Sequence, residues 1–156
     1  MSGGTGDEEA ERAAVETGVP EGFEQLSRAS PLLDLLGPFY ARGEGRNLIL
    51  GLRVAEKHTN ARGFAHGGVL LTLADVALGY AAEGYMDTPA RLTTVSVSAD
   101  FAGRAEPGDW VEARVDVQRV GVRMAFASAY LHVGERRIAR TSAVFARVDV
   151  DGGDGA

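Results

Sequence analysis

Residues 67–83 read GGVLLTLADVALGYAAE, an apolar stretch whose one charge before its last position is Asp75. Val69, Leu70, Leu71, Leu73, Ala74, Val76, Ala77 and Leu78 leave no polar stripe, which predicts a helix enclosed on all sides. At about 1.5 Å per residue it is roughly 25 Å long. A chain of 156 residues makes one domain, and such a domain can bury this rod only by curling its remaining elements around it.

The remaining elements suit that task. Leu48, Leu50, Leu52 and Val54 share one face of a strand over 47–56. In 92–101, Val95, Val97, Ala99 and Phe101 alternate with Thr94, Ser96, Ser98 and Asp100. In 110–119, Val111, Ala113, Val115 and Val117 alternate with polar residues. Residues 124–133 and 137–148 form two more long strands, joined by a Gly134-Glu135 hairpin turn. Pro107-Gly108-Asp109 and Gly121 mark the other turns. Phe23–Arg28 suggests a short helix, and Ser30 with Pro31 starts a second over Pro31–Leu36, stopped at Gly37-Pro38. The fold expected is α+β, a hotdog: one long central helix wrapped by a curved antiparallel sheet of five to six strands.

Seven acids against one base in 1–25, and three acids in 149–156, leave the residues between at +3 although the whole chain is at −6. The domain expected is 21–150, with a disordered acidic arm over 1–20 and a disordered tail over 151–156. A charge of +3 without a basic stripe argues against nucleic-acid binding. Fifteen of the sixteen bases are arginine, which fits genome composition better than recognition. Cysteine is absent, which excludes disulfides and a thiol nucleophile. No apolar run of 18 residues predicts a membrane span, and acids follow Met1–Gly6 where a secretory signal would turn basic and then apolar. A cytoplasmic protein is expected. His58, His66 and His132 have no metal-binding spacing, and no nucleotide-binding glycine loop or serine-hydrolase elbow is present, so neither metal nor cofactor is expected.

The candidate chemistry gathers around the apolar helix. A buried carboxylate at Asp75 is costly unless partnered, and desolvation raises its pKa toward what a general base needs. The plain alternative is an interface carboxylate satisfied by backbone N–H groups or an arginine. His66-Gly67-Gly68 opens the helix, where unpaired N–H groups carry partial positive charge and suit a carbonyl oxygen gaining negative charge. An ordinary glycine-rich helix start explains the same residues. Asn60 precedes it in a loop, as a carbonyl or water holder or as a turn residue. Thr93 and Thr94 begin the following strand, where a hydroxyl orients a water or merely serves strand propensity.

Taken together, His58-Thr59-Asn60, Gly63, His66-Gly67-Gly68 and Leu73-Ala74-Asp75 resemble the signature of hotdog-fold acyl-CoA thioesterases of the PaaI type. Thr94–Phe101 and the Pro107-Gly108-Asp109 turn are similar as well, and the likeness spans residues 37–148. The resemblance implies an acyl- or aryl-CoA substrate cleaved to the free acid and CoA. It implies that Asp75 activates water or attacks as a nucleophile, and that Gly67 polarises the carbonyl through its N–H. Asn60 and His66 would assist, with Thr94 holding the water and Gly68 and Thr93 beside the substrate. Arg119 and Arg123, flanking Gly121, fall where relatives bind coenzyme A phosphates. A homodimer or dimer of dimers with shared active sites is implied too: Gly67 and Asp75 lie about 12 Å apart along one helix. Two other readings stay open, a non-catalytic acyl-CoA sensing domain and an enoyl-thioester hydratase.

Overall fold

The computed structural model describes residues 18–28, 30–88 and 90–149. The elements are β1 (Glu24–Gln25), α1 (Pro31–Leu36), β2 (Phe39–Arg42), β3 (Ile49–Arg53), α2 (Gly67–Glu83), β4 (Ala90–Phe101), β5 (Trp110–Val120), β6 (Met124–Val133) and β7 (Arg136–Asp149). The strands form one antiparallel sheet in the order β1-β2-β3-β5-β6-β7-β4, curled around α2. This is the expected hotdog. The arm over 1–20 and the tail over 151–156 fall mostly outside the described residues; Val19, which is described, is already buried.

Seven strands replace the expected five to six. The first departure is at Phe23–Arg28, which is not helical. Glu24 and Gln25 pair with Ala41 and Tyr40, and Leu26 N–H donates to Phe39 O at 2.8 Å. A six-residue helix closes few hydrogen bonds after its nucleus. The extended form instead buries Phe23 edge-on against Trp110 at 4.9 Å, under the Arg42 guanidinium. α1 forms as expected: Ser30 Oγ accepts from Leu33 N–H, and Gly37 N–H closes the last turn on Leu33 O.

α2 is not enclosed on all sides within one chain. Val69, Leu70, Leu73, Ala74, Ala77, Leu78, Ala81 and Ala82 are buried against the sheet at helical spacing. Leu71, Thr72, Asp75, Val76 and Tyr80 form a flank that is only half-buried. The sheet covers one side of the helix, and its last strand, β4, ends beside this flank. Each fully buried leucine contributes about 1.5–3 kcal/mol through burial, so the Leu50, Leu52, Leu73, Leu78 and Leu131 layer anchors the helix to the sheet.

The second departure lies in β4. Thr94 pairs with Phe145, but Ser96 pairs with Val144, so Val95 is an extra residue, a bulge. An extra residue reverses the alternation on one side of it. Thr94 therefore shares the helix-facing side with Val97 and Ala99 instead of opposing them, and Val95 is 59% exposed. Phe101, also expected inside, is half exposed at the strand end, with its ring over Gly67. The free edge of β4 has no strand beside it among the described residues.

Between β3 and α2 the chain is pinned by His58, 2% exposed. Its Nδ1 accepts from Ala55 N–H at 2.9 Å and its Nε2 meets Leu36 O at 2.6 Å. Beside it, Lys57 Nζ donates to Leu35 O and Gly37 O, capping the C-terminus of α1.

Candidate functional site

The bulge brings the first pair of candidates together. Thr94 Oγ1 donates to Asp75 Oδ1 at 2.9 Å. Thr93 pairs with Ala146 and faces the other side of the sheet, so it is not part of this cluster. Asp75 is not the fully desolvated carboxylate expected: it is half-buried on the open flank of α2. A cleft of about 400 Å³ opens there, and Asp75, Thr94 and Thr72 are part of its polar lining.

The second cluster sits at the N-terminus of α2. Thr59 and Ala65 form a bridge that closes the preceding loop. Asn60 organises that loop: its Oδ1 accepts from Arg62 N–H at 2.9 Å and its backbone hydrogen-bonds with Phe64 and Gly63. Its amide NH₂ donates to no described residue. Gly63 at the tip has φ +80, a left-handed conformation that glycine adopts without strain.

His66 caps the helix, with Nδ1 accepting from Gly68 N–H at 2.9 Å. This has two consequences. Gly68 N–H, expected at the substrate, is already occupied. Nδ1 being an acceptor, the neutral ring carries its proton on Nε2, which is left as a donor. Gly67 N–H has no partner among the described residues. A Cβ on Gly67 would stand 3.3 Å from the Phe101 ring, so a side chain there would crowd that ring. The Asn60 amide, His66 Nε2–H and Gly67 N–H thus supply three donors at one helix end.

The two clusters are not brought together in one chain. Eight residues of α2 separate Gly67 from Asp75, about 12 Å. Gly67 lies level with Phe101, and Asp75 level with Thr94. Arg119 and Arg123, both exposed, stand at the β5–β6 turn, at the end of the sheet where Met124 and Thr93 flank Ala146. That is Asp75's end and not Gly67's. The cleft also holds residues that sequence reasoning missed. Leu32, Leu33, Val76 and Tyr80 line it with Val97. The available signal was the density of leucine in PLLDLL, four in a six-residue helix too short to bury them all.

The perturbed histidines lie elsewhere. Desolvation lowers the pKa of His58, and Lys57 adds to it against the pull of the Leu36 carbonyl. Desolvation also lowers His132, with Arg114 adding to it. Among the described residues no three potential metal ligands cluster, and no helix is long and apolar enough to cross a membrane.

A helix wrapped by an antiparallel sheet, with donors at its N-terminus and a carboxylate two turns on, defines a protein of the hotdog fold. The sequence pattern of the thioesterase superfamily matches residues 62–144. The chain is 55% identical over 128 residues to PA0474 of Pseudomonas aeruginosa, which carries the provisional name of an esterase; the match covers 81% of this chain and 96% of the relative. The chain belongs to the thioesterase superfamily, a family of hydrolases. Among solved structures it superimposes on the conserved protein PA5202 of Pseudomonas aeruginosa with a TM-score of 0.72 at 23% identity, over 77% of this chain and 95% of the other. A mutant structure of the phenylacetic acid degradation protein PaaI of Thermus thermophilus gives 0.68 at 24% identity, over 76% and 100%. Those two likenesses establish the fold.

Proposed function

We propose that this chain hydrolyses acyl-CoA thioesters to the carboxylic acid and CoA at a site assembled from two copies. One observation carries the reading. Asp75, with Thr94 of β4 bound to it, and the Gly67 donor end lie on one helix but too far apart to act on one carbon, beside a strand whose edge is free among the described residues. A two-fold axis that sets two such helices antiparallel brings the donor end of one protomer to the carboxylate of its partner, twice. The register follows from the levels already described. If Phe101 of one β4 lies opposite Thr94 of the other, the bulge at Val95 sets Val97 opposite Ala99 and puts the axis at Ser98. The same contact covers the exposed side chains of Val95 and Phe101.

In this site the thioester oxygen lies against Gly67 N–H, with the Asn60 amide and His66 Nε2–H at the oxygen or the sulfur. Asp75 of the other protomer takes a proton from a water held by Thr94. The water oxygen bonds to the acyl carbon, the C–S bond breaks, and the proton leaves with the thiol. Direct attack by Asp75 uses the same geometry and passes through an anhydride. A single turnover in ¹⁸O-water detects the anhydride where water opens it at the Asp75 carbonyl, since label then enters Asp75 and the acid product carries none. Arg119 and Arg123 are the candidates for the CoA phosphates, and their loss should raise KM more than it lowers kcat.

The test is complementation. Asn60→Ala and Asp75→Asn proteins, each nearly inactive, are co-refolded and assayed for thiol release from acyl-CoA. A mixed dimer holds one intact site and one site lacking both residues. Random mixing makes about half the dimers mixed and restores about a quarter of the sites. Verified mixed dimers no more active than their parents would place the site within one chain.

A further inference from the structure

The cleft beside Asp75 has a built end. Its floor is the half-buried flank of α2 and its roof is α1, with Leu32 53% exposed above it. Tyr80 closes the end away from Gly68. The Arg28 guanidinium lies 4.3 Å over the Tyr80 ring and pairs with Glu83 at 2.6 Å. An apolar chain running along the cleft from Asp75 therefore meets a charged pair about 7.5 Å on, five residues at ~1.5 Å. The roof is not a loose flap. Lys57 and His58 tie the last carbonyls of α1 to the loop below. Apart from Asp75, the cleft lining carries no charge, and the Arg28 guanidinium at its end is already engaged by Glu83, so a carboxylate on the acyl group would find no free cation there.

Resting on the thioesterase reading, we infer that α1 and Tyr80 select the acyl group: a neutral, apolar acyl of about six carbons, or one ring, with Leu32 and Leu33 against its side and Tyr80–Arg28 as its stop. Bonds of ~1.5 Å advance about 1.25 Å each when zigzagged, so six carbons extend about 6 Å and the terminal methyl's own radius fills the remainder. α1 and Arg28 precede residues 62–144, so the roof of the cleft lies outside the segment that matches the superfamily, while Tyr80 lies within it.

The experiment measures kcat/KM for acetyl-, hexanoyl-, benzoyl- and dodecanoyl-CoA in the wild type, Leu32→Trp and Tyr80→Ala. Hexanoyl and benzoyl should exceed acetyl and dodecanoyl by about tenfold or more, the worth of filling a pocket by a methylene or two. Leu32→Trp, at a half-exposed position that tolerates bulk, should lower the hexanoyl-to-acetyl ratio by about fivefold or more. Tyr80→Ala should raise the dodecanoyl-to-hexanoyl ratio by about tenfold. Hydrolysis with the same length profile in all three proteins, or a wild-type preference for dodecanoyl, overturns the proposal and leaves the thioesterase reading intact. If no thioester is cleaved, that reading fails instead, and binding decides the cleft. S-hexyl-CoA binding about tenfold more tightly than S-methyl-CoA, an advantage lost in Leu32→Trp, upholds it; equal affinities overturn it.

Discussion

Replacing Thr94 by valine removes one hydroxyl and keeps the β-branched shape that the bulged strand carries. The lost contact is the 2.9 Å hydrogen bond to Asp75 Oδ1. A hydrogen bond to a charged acceptor, once the partner chain excludes water, contributes about 1.5–3 kcal/mol. At about 1.4 kcal/mol per decade, kcat should fall roughly 10- to 150-fold. Asp75→Asn keeps the acceptor oxygen and the volume but removes the base, and should cost about 10²–10⁴ in kcat. The two effects are not independent if Thr94 acts through the carboxylate and its water. Thr94→Val placed in the Asp75→Asn background should then cost less than about threefold. The assay is single-turnover thiol release from the four proteins, with melting temperatures alongside. Asp75→Asn should melt within about 2 °C of the wild type, because a half-buried side chain keeps its hydrogen bond. Fully additive losses would refute the coupling. A melting temperature several degrees lower would mean that Asp75 is a structural member of the interface.

Three other outcomes follow from the same structure. His58 uses both ring nitrogens in its neutral form, and its pKa is lowered on folding. The unfolded chain therefore takes up the proton first, so stability is full above about pH 6.5 and declines as pH falls below it. The melting temperature should drop more steeply from pH 7 to 5 in the wild type than in His58→Gln, with some slope left by His132, which shifts the same way; equal slopes would count against it. Gly51→Ala puts a Cβ 2.1 Å from Trp110 Cζ2, whose ring is held by Phe23 and Tyr40. Overpacking of this kind costs about 1–3 kcal/mol, so a fall of several degrees by calorimetry is expected, and an unchanged melting temperature would show that the ring can move. With no native cysteine, Ser98→Cys should give a covalent dimer with a short bis-maleimide while Glu135→Cys does not; the reverse pattern would displace the two-fold axis.

The long elements were legible because each has a period. The sheet face of α2 and the alternation of β3 and β5 follow directly from where their leucines and valines fall. β1 and β2 were not, because two to four residues carry no period, and Phe23 is drawn into the sheet by Trp110, far along the chain. Asp75 stood out as a lone charge among apolar residues, and the glycines beside His66 marked the helix start. Thr94 could not be told from Thr93, since one unpaired residue at Val95 exchanges their faces without leaving a compositional trace. Gly68 was expected at the substrate because nothing in a sequence reveals the ring orientation that lets His66 take its N–H. The apolar all-round character of α2 suggests burial within one chain, whereas its surplus lies on the half-buried flank beside β4.

Among sixteen basic residues one is a lysine, and its position has a chemical consequence. Thioesters acylate amines as well as water. Apart from the chain's own amino group, Lys57 is the only amine on which an activated acyl group could come to rest, and its ammonium is engaged by Leu35 O and Gly37 O. Transfer of an acyl group to it would remove the charge and cut the tie between α1 and the loop beneath. If the chain hydrolyses acyl thioesters as proposed, its one lysine side chain is thus a point of self-modification, and it pins the roof above the cleft.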